Sequence, residues 1–121
     1  MGSEMCIRDS YQIGRYQDAA EANMRAAAVD EAYIAACNAQ GFYPAIYYPH
    51  NIHFLWSSAT MQGQSALSIE SAQRVKKSVK IEQVQAFPAV EFFRTVPLVS
   101  LVRFAKWDER NFHYSTNRVL E

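Results

Sequence analysis

Apolar and small positions from Tyr16 to Ala27 recur at the period of an α-helix. Tyr16, Ala19, Ala20, Asn23, Met24 and Ala27 share one face, while Arg15, Asp18, Glu21 and Arg25 take the opposite one. Asp30 or Glu31 is expected to start a second alanine-rich helix over Ala32 to Gln40, with Gly41 as its C-cap. From Phe42 to Pro49 the period fails. Pro44 and Pro49 each push the preceding residue out of the α region, and the aromatic rings here predict an ordered insert packed on helices.

The stretch from His50 to Gln62 predicts a helix with two stripes. Ile52, Leu55, Trp56 and Ala59 are apolar at i, i+3, i+4 and i+7, and His50, His53, Ser57 and Thr60 are polar at i, i+3, i+7 and i+10. Gly63 closes it. Ser65 then fits the N-cap of a helix to about Ile81, with Ile69, Ala72, Val75 and Val79 inward. Lys76, Lys77 and Lys80 form its solvated face. Two apolar segments come after Phe87-Pro88, from Ala89 to Arg94 and from Pro97 to Phe104. Their β-branched and aromatic residues suit strands, but Pro97 suits the first turn of a helix, and helices are expected. The tail over 111–121 is polar and aperiodic.

Composition narrows the class. Half of the 121 residues are apolar, enough for one small core, and 4 Gly with 4 Pro favour long helices over a turn-rich sandwich. Twelve basic residues balance twelve acidic ones, which argues against an electrostatic nucleic-acid binder. No apolar run has the roughly 20 residues that cross a bilayer, so no membrane partner is expected.

Residues 1–10, MGSEMCIRDS, share no period with the rest of the chain and lack the apolar centre of a signal peptide. The string resembles a translated sequencing adapter and is expected to be a disordered, non-native leader. The helical domain then covers 11–110. Without the leader, Cys37 is the lone cysteine and the chain stays near neutral. The compartment is not legible.

Three helix corners share one shape: Gly14-Arg15-Tyr16, Gly63-Gln64-Ser65 and Ala105-Lys106-Trp107. Each has a small residue where two helices meet, one spacer, and a residue that packs or caps before a fresh amphipathic helix. These corners resemble those of the tetratricopeptide (TPR) repeat family. Gly14, Tyr16, Ala19 and Ala26 match its second-helix pattern, Leu55, Trp56, Ala59, Gly63 and Ala72 match a second unit, and Trp107 lies just past a degenerate third corner. The segment from Tyr47 to Trp56 is similar to a motif in bacterial proteins carrying such repeats. Corners at 14, 63 and 105 lie 49 and 42 residues apart, against about 34 for the standard repeat, which predicts inserts within 30–49 and 81–88.

The resemblance implies an all-α, right-handed TPR-like solenoid of about six helices in antiparallel pairs. It also implies a non-catalytic scaffold that binds a peptide or protein partner in its concave groove. His50, His53, Ser57, Thr60 and Arg103, with Arg94 beside them, are the expected lining of that groove. The alternative is a metal-binding or enzyme-associated domain using His50 and His53, since i and i+3 imidazoles point the same way, with Cys37 or His113 as further ligand. A zinc site needs three or four ligands, and no carboxylate lies within a turn. No cofactor is expected. Cys37 among alanines reads as small and buried, Ser57 and Ser58 lack a nucleophile elbow, and no phosphate-binding glycine loop is present. The first unit lacks its leading helix, so the face with Tyr16 and Met24 is expected to be partly uncovered and open to self-association.

Overall fold

The computed structural model describes residues 9–38 and 46–109, and every regular element among them is helical. The chain leaves a helical turn at 9–12 and forms α1 (Tyr16–Cys37), α2 (Tyr48–Met61) and α3 (Ser65–Ser78). A short α4 (Ile81–Ala86) and a 3₁₀ turn (Pro88–Val90) lead to α5 (Phe92–Arg103). Residues 107–109 begin another helix.

All three expected corners share one backbone geometry. Gly14, Gly63 and Ala105 adopt φ of 80°, 73° and 56°. In each, the corner residue's N–H bonds the carbonyl three residues back: Gly14 to Tyr11, Gly63 to Thr60, Ala105 to Val102. The next residue's N–H reaches five back: Arg15 to Ser10, Gln64 to Ala59, Lys106 to Leu101. These paired bonds form a Schellman motif, which satisfies the orphan carbonyls of a helix end. A new helix starts at 16, 65 and 107.

Contacts between α1 and α2 pair Asp30 with Asn51 and Glu31 with Tyr48, so the two helices run antiparallel. On the next interface Thr60 meets Ser68, and α2 and α3 are antiparallel about the Gly63 corner. Across α3 and α5, Ser68 meets Ser100 while Arg94 reaches the Val79 carbonyl, again antiparallel. Consequently α2 and α5 run parallel, and Trp56 touches Ser100 while His53 touches Phe93. The core gathers Ala27, Ile52, Ala72, Val75, Val79, Val90, Phe93 and Val96, with Trp56 packed at its edge. Alanines on α1 let α2 approach closely, and the larger Ile52 and Leu55 fill the space between.

Several expectations give way to the observed packing. No helix boundary falls at Asp30; α1 runs unbroken for 22 residues, and Asp30 is buried in it, accepting from the Asn51 amide at 2.8 Å. That partner removes the reason a mid-helix aspartate would break the chain. The helix ends at Cys37, with Asn38 left-handed at φ 44°, ahead of the expected Gly41, which lies outside the described residues. Met24, on the face expected to be partly uncovered, is exposed, because the buried stripe runs through Ala20, Asn23, Ala27 and Asp30 and leaves it on the flank. Cys37 is exposed rather than buried.

Pro49 lies in the first turn of α2 instead of ending a loop, since a proline there loses no helical hydrogen bond. Ser65 is the first helical residue, not the N-cap; Gln64 holds that place without a side-chain bond. The helix after it stops at Ser78, and Ile81 starts α4, whose Gln83 side chain accepts the Lys80 N–H at 2.7 Å. Of the two segments after Pro88, Ala89 and Val90 fall in the 3₁₀ turn and the rest joins from Phe92 into α5, with Pro97 inside it rather than in its first turn. Buried packing of Pro97 beside Val96 and Leu101 outweighs the missing N–H. Asp9 and Ser10, expected in a disordered leader, belong to the helical turn that ends at Gly14. Residues 1–8 and the tail from 110 lie outside the described residues.

Candidate functional site

The polar stripe of α2 divides into groups committed to neighbouring helices and groups open to solvent. Ser57 shares a 2.7 Å hydrogen bond with the Tyr11 hydroxyl, which fastens the turn at 9–12 onto α2. Thr60 donates to the Trp56 carbonyl at 2.8 Å and meets Ser68 of α3 at 2.7 Å. From Ser68 the chain of hydroxyls continues to Ser100 at 3.2 Å, and Ser100 accepts the Trp56 indole N–H at 2.5 Å. Trp56, Thr60, Ser68 and Ser100 thus form a closed polar ring that joins α2, α3 and α5. These hydroxyls are spent inside the fold.

His50 and His53 behave differently from each other. His50 is exposed at the start of α2, its ring 4.8 Å from that of Phe54. His53 lies between α2 and α5, with ring centroids 4.9 Å from Trp56, 5.6 Å from Phe92 and 5.5 Å from Phe93. Burial in this aromatic setting, helped by the nearby His50 charge, pulls its pKa down from 6.5 to about 4. His53 is therefore neutral at pH 7, an edge-to-face partner for the phenylalanine rings. Among the described residues no group of three or more His, Cys, Asp or Glu side chains could hold a metal ion. His113, the further ligand expected with the two histidines, lies outside them.

Arg103 is exposed at the end of α5, its guanidinium 5.9 Å from the centre of the Phe104 ring. Arg94 is drawn away from that surface by its 2.7 Å bond to the Val79 carbonyl. Only His53 of the expected lining meets α5, at Phe92 and Phe93, while His50 and Arg103 are exposed near the start of α2 and the end of α5. Phe92, half-exposed, was not among the expected lining residues. Its spacing within the run of Val90, Phe92 and Phe93 gives no clue to which ring faces inward, because that depends on where α5 starts.

The residues carrying the repeat resemblance occupy varied depths. Ala19, Leu55, Ala59 and Ala72 are fully buried, Tyr16, Ala26 and Trp56 partly so, and Trp107 is half-exposed. Tyr16 does fill its corner, edge-on to Tyr11 at 5.3 Å.

A second polar cluster sits at the other edge of the stack. Glu31 of α1 accepts from Tyr48 of α2 at 2.5 Å and from Arg74 of α3 at 2.9 Å. The Tyr48 bond, against the cost of partial burial, keeps Glu31 below its ordinary pKa of 4.5. Burial and the Glu31 charge push Tyr48 up to about 12. The cluster locks three helices together; the sequence offered no sign of it.

Comparison with family models, curated proteins and solved structures returns no match. No helix among the described residues is long and apolar enough to cross a membrane.

Proposed function

We propose that the chain is a short TPR-like stack that works as a non-catalytic scaffold, holding an extended peptide or protein segment along the groove between α2 and α5. One observation carries this reading. Two helices separated by a full hairpin turn run parallel and side by side, both packed on α3, with His53 reaching Phe93 between them. Repeated corners of one geometry generate that alternation, as stacked helix pairs do. The groove edge offers an exposed imidazole at His50, a half-exposed ring at Phe92 and a guanidinium at Arg103. Such a surface suits an extended segment carrying an apolar side chain and a carboxylate, bound through a few anchors.

Selection from a displayed random-peptide library tests it. Enriched peptides are expected to lose about tenfold in affinity, ~1.4 kcal/mol, in His50→Ala or Phe92→Ala. A library that yields no binder, or binders indifferent to both substitutions, removes this function.

A further inference from the structure

Helix α1 is held to the stack differently from its neighbours. Its buried side chains are Ala19, Ala20, Asn23, Ala27 and Asp30, with no large apolar one among them. Among the described residues, Ala27 is its only member of the shared core, against Ile52 of α2, Ala72 and Val75 of α3, and Phe93 and Val96 of α5. Apolar stabilisation scales with the area withdrawn from water, and alanine contributes little. A polar layer weakens the contact further. Asp30 meets Asn51, so seven residues back along α1 and seven on along the antiparallel α2 bring Asn23 level with Ser58. Both are buried, and neither the Asn23 Oδ1 nor the Ser58 hydroxyl has a hydrogen-bond partner among the described residues. Toward its C-terminal end α1 is clasped by Tyr48 and Arg74 on Glu31, bonds exposed to water that open at little cost.

We propose that α1 is a detachable cover: it leaves α2 and α3 as a unit, pivoting at Gly14, while α2, α3 and α5 stay folded. The contacts that hold those three together do not involve α1. They share Ile52, Val75, Phe93 and Val96, and the hydroxyl ring of Trp56, Thr60, Ser68 and Ser100 lies wholly among them. Ahead of Gly14 the chain stays fastened through Tyr11 to Ser57, and the left-handed φ of 80° places the pivot at a residue without a side chain. When α1 lifts, Asn23 and Ser58 gain water, which offsets part of the apolar loss. The movement bares Leu55 and Ser58, on the stripe of α2 that continues from Asn51. That stripe faces away from His53, so the device stands apart from the peptide groove.

Native-state hydrogen exchange on the full chain, read by mass spectrometry at several low urea concentrations, tests the proposal. Amides of α1 are expected to show protection about tenfold or more below those of α3 and α5. Their exchange should barely respond to urea, whereas that of α3 and α5 should rise steeply, since only whole-fold opening exposes them. Thiol labelling gives a second readout. With Cys6→Ser and Cys37→Ser removing the other thiols, a Ser58→Cys variant should react about tenfold or more faster than an Ala72→Cys variant, because Ala72 lies in the core that stays closed. Equal labelling of the two overturns the proposal. So do α1 amides that share the protection and urea dependence of α3 and α5, a result obtained on the unsubstituted chain whether or not either variant folds.

Discussion

The Trp56 indole N–H donates to the Ser100 hydroxyl at 2.5 Å, tying the middle of α2 to the last turns of α5. The same hydroxyl meets Ser68 of α3. One buried oxygen thereby fixes the rotation of three helices about their axes, something apolar packing alone specifies loosely.

Ser100→Ala is expected to destabilise the fold by about 1–3 kcal/mol, because it strands the Trp56 N–H and weakens the hold on Ser68. Adding Trp56→Phe to it should cost less than the sum of the two single changes, since the stranded donor disappears. Urea denaturation of the double-mutant cycle measures this; strict additivity would show that the bond carries no coupling.

Ser58 and Ser71 make the opposite case. Both hydroxyls are buried, and neither has a hydrogen-bond partner among the described residues. Removing an unpaired buried hydroxyl relieves its desolvation cost, so Ser58→Ala and Ser71→Ala should leave stability unchanged or raise it by up to about 1 kcal/mol. A loss of melting temperature in either variant comparable to that of Ser100→Ala would show that these hydroxyls are bonded.

The corners predict a pair of mirror-image effects. A Cβ added at Gly63 meets nothing within 4 Å, so Gly63→Ala suffers only from its φ of 73°. That costs roughly 1–2 kcal/mol for an L-residue. Ala105 already sits at φ 56°, and Ala105→Gly should gain about 1 kcal/mol by releasing the same strain. Thermal melts of the two variants should shift in opposite directions.

His53 sets a pH dependence whose sign is fixed by its environment. Its pKa in the fold is about 4 against 6.5 in an exposed chain, so the unfolded state binds more protons between those values. Stability is then full above pH 6.5, falls as pH drops from 6.5 toward 4, and levels off below. Allowing for solvent at the ring's edge, the loss is on the order of 2 kcal/mol. Glu31, held below 4.5, adds its own loss only at the acid end of this window. In His53→Phe the fall between pH 6.5 and 5 should vanish; a variant that keeps the parent slope there would place its origin elsewhere.

What could be read in advance divides by the range of the interactions. Helical period marked Ile52, Leu55 and Ala59 as core, and all three are fully buried. It put Met24 on the apolar face of α1 expected to be partly uncovered, and Met24 is exposed, since the buried arc of α1 is narrower than its apolar one. Ser57 and Thr60 were legible as a polar stripe, but a hydroxyl at a given angle serves equally for a ligand or for Tyr11 and Ser68. That choice belongs to the partner helix. Phe92 and Phe93 were indistinguishable for a related reason, as adjacent residues exchange faces with a small shift in where the helix begins.

By itself the sequence determined the helices and their corners, because period, proline placement and a small residue at a tight turn act over a few neighbouring positions. Small residues at 14, 63 and 105 were enough to locate three helix ends of one geometry. Only the tertiary structure decided that Asp30 stays within α1, that His53 loses its charge between aromatic rings, and that Glu31, Tyr48 and Arg74 meet. Each of those outcomes depends on desolvation and on partners distant in the chain, and neither quantity is written in local spacing.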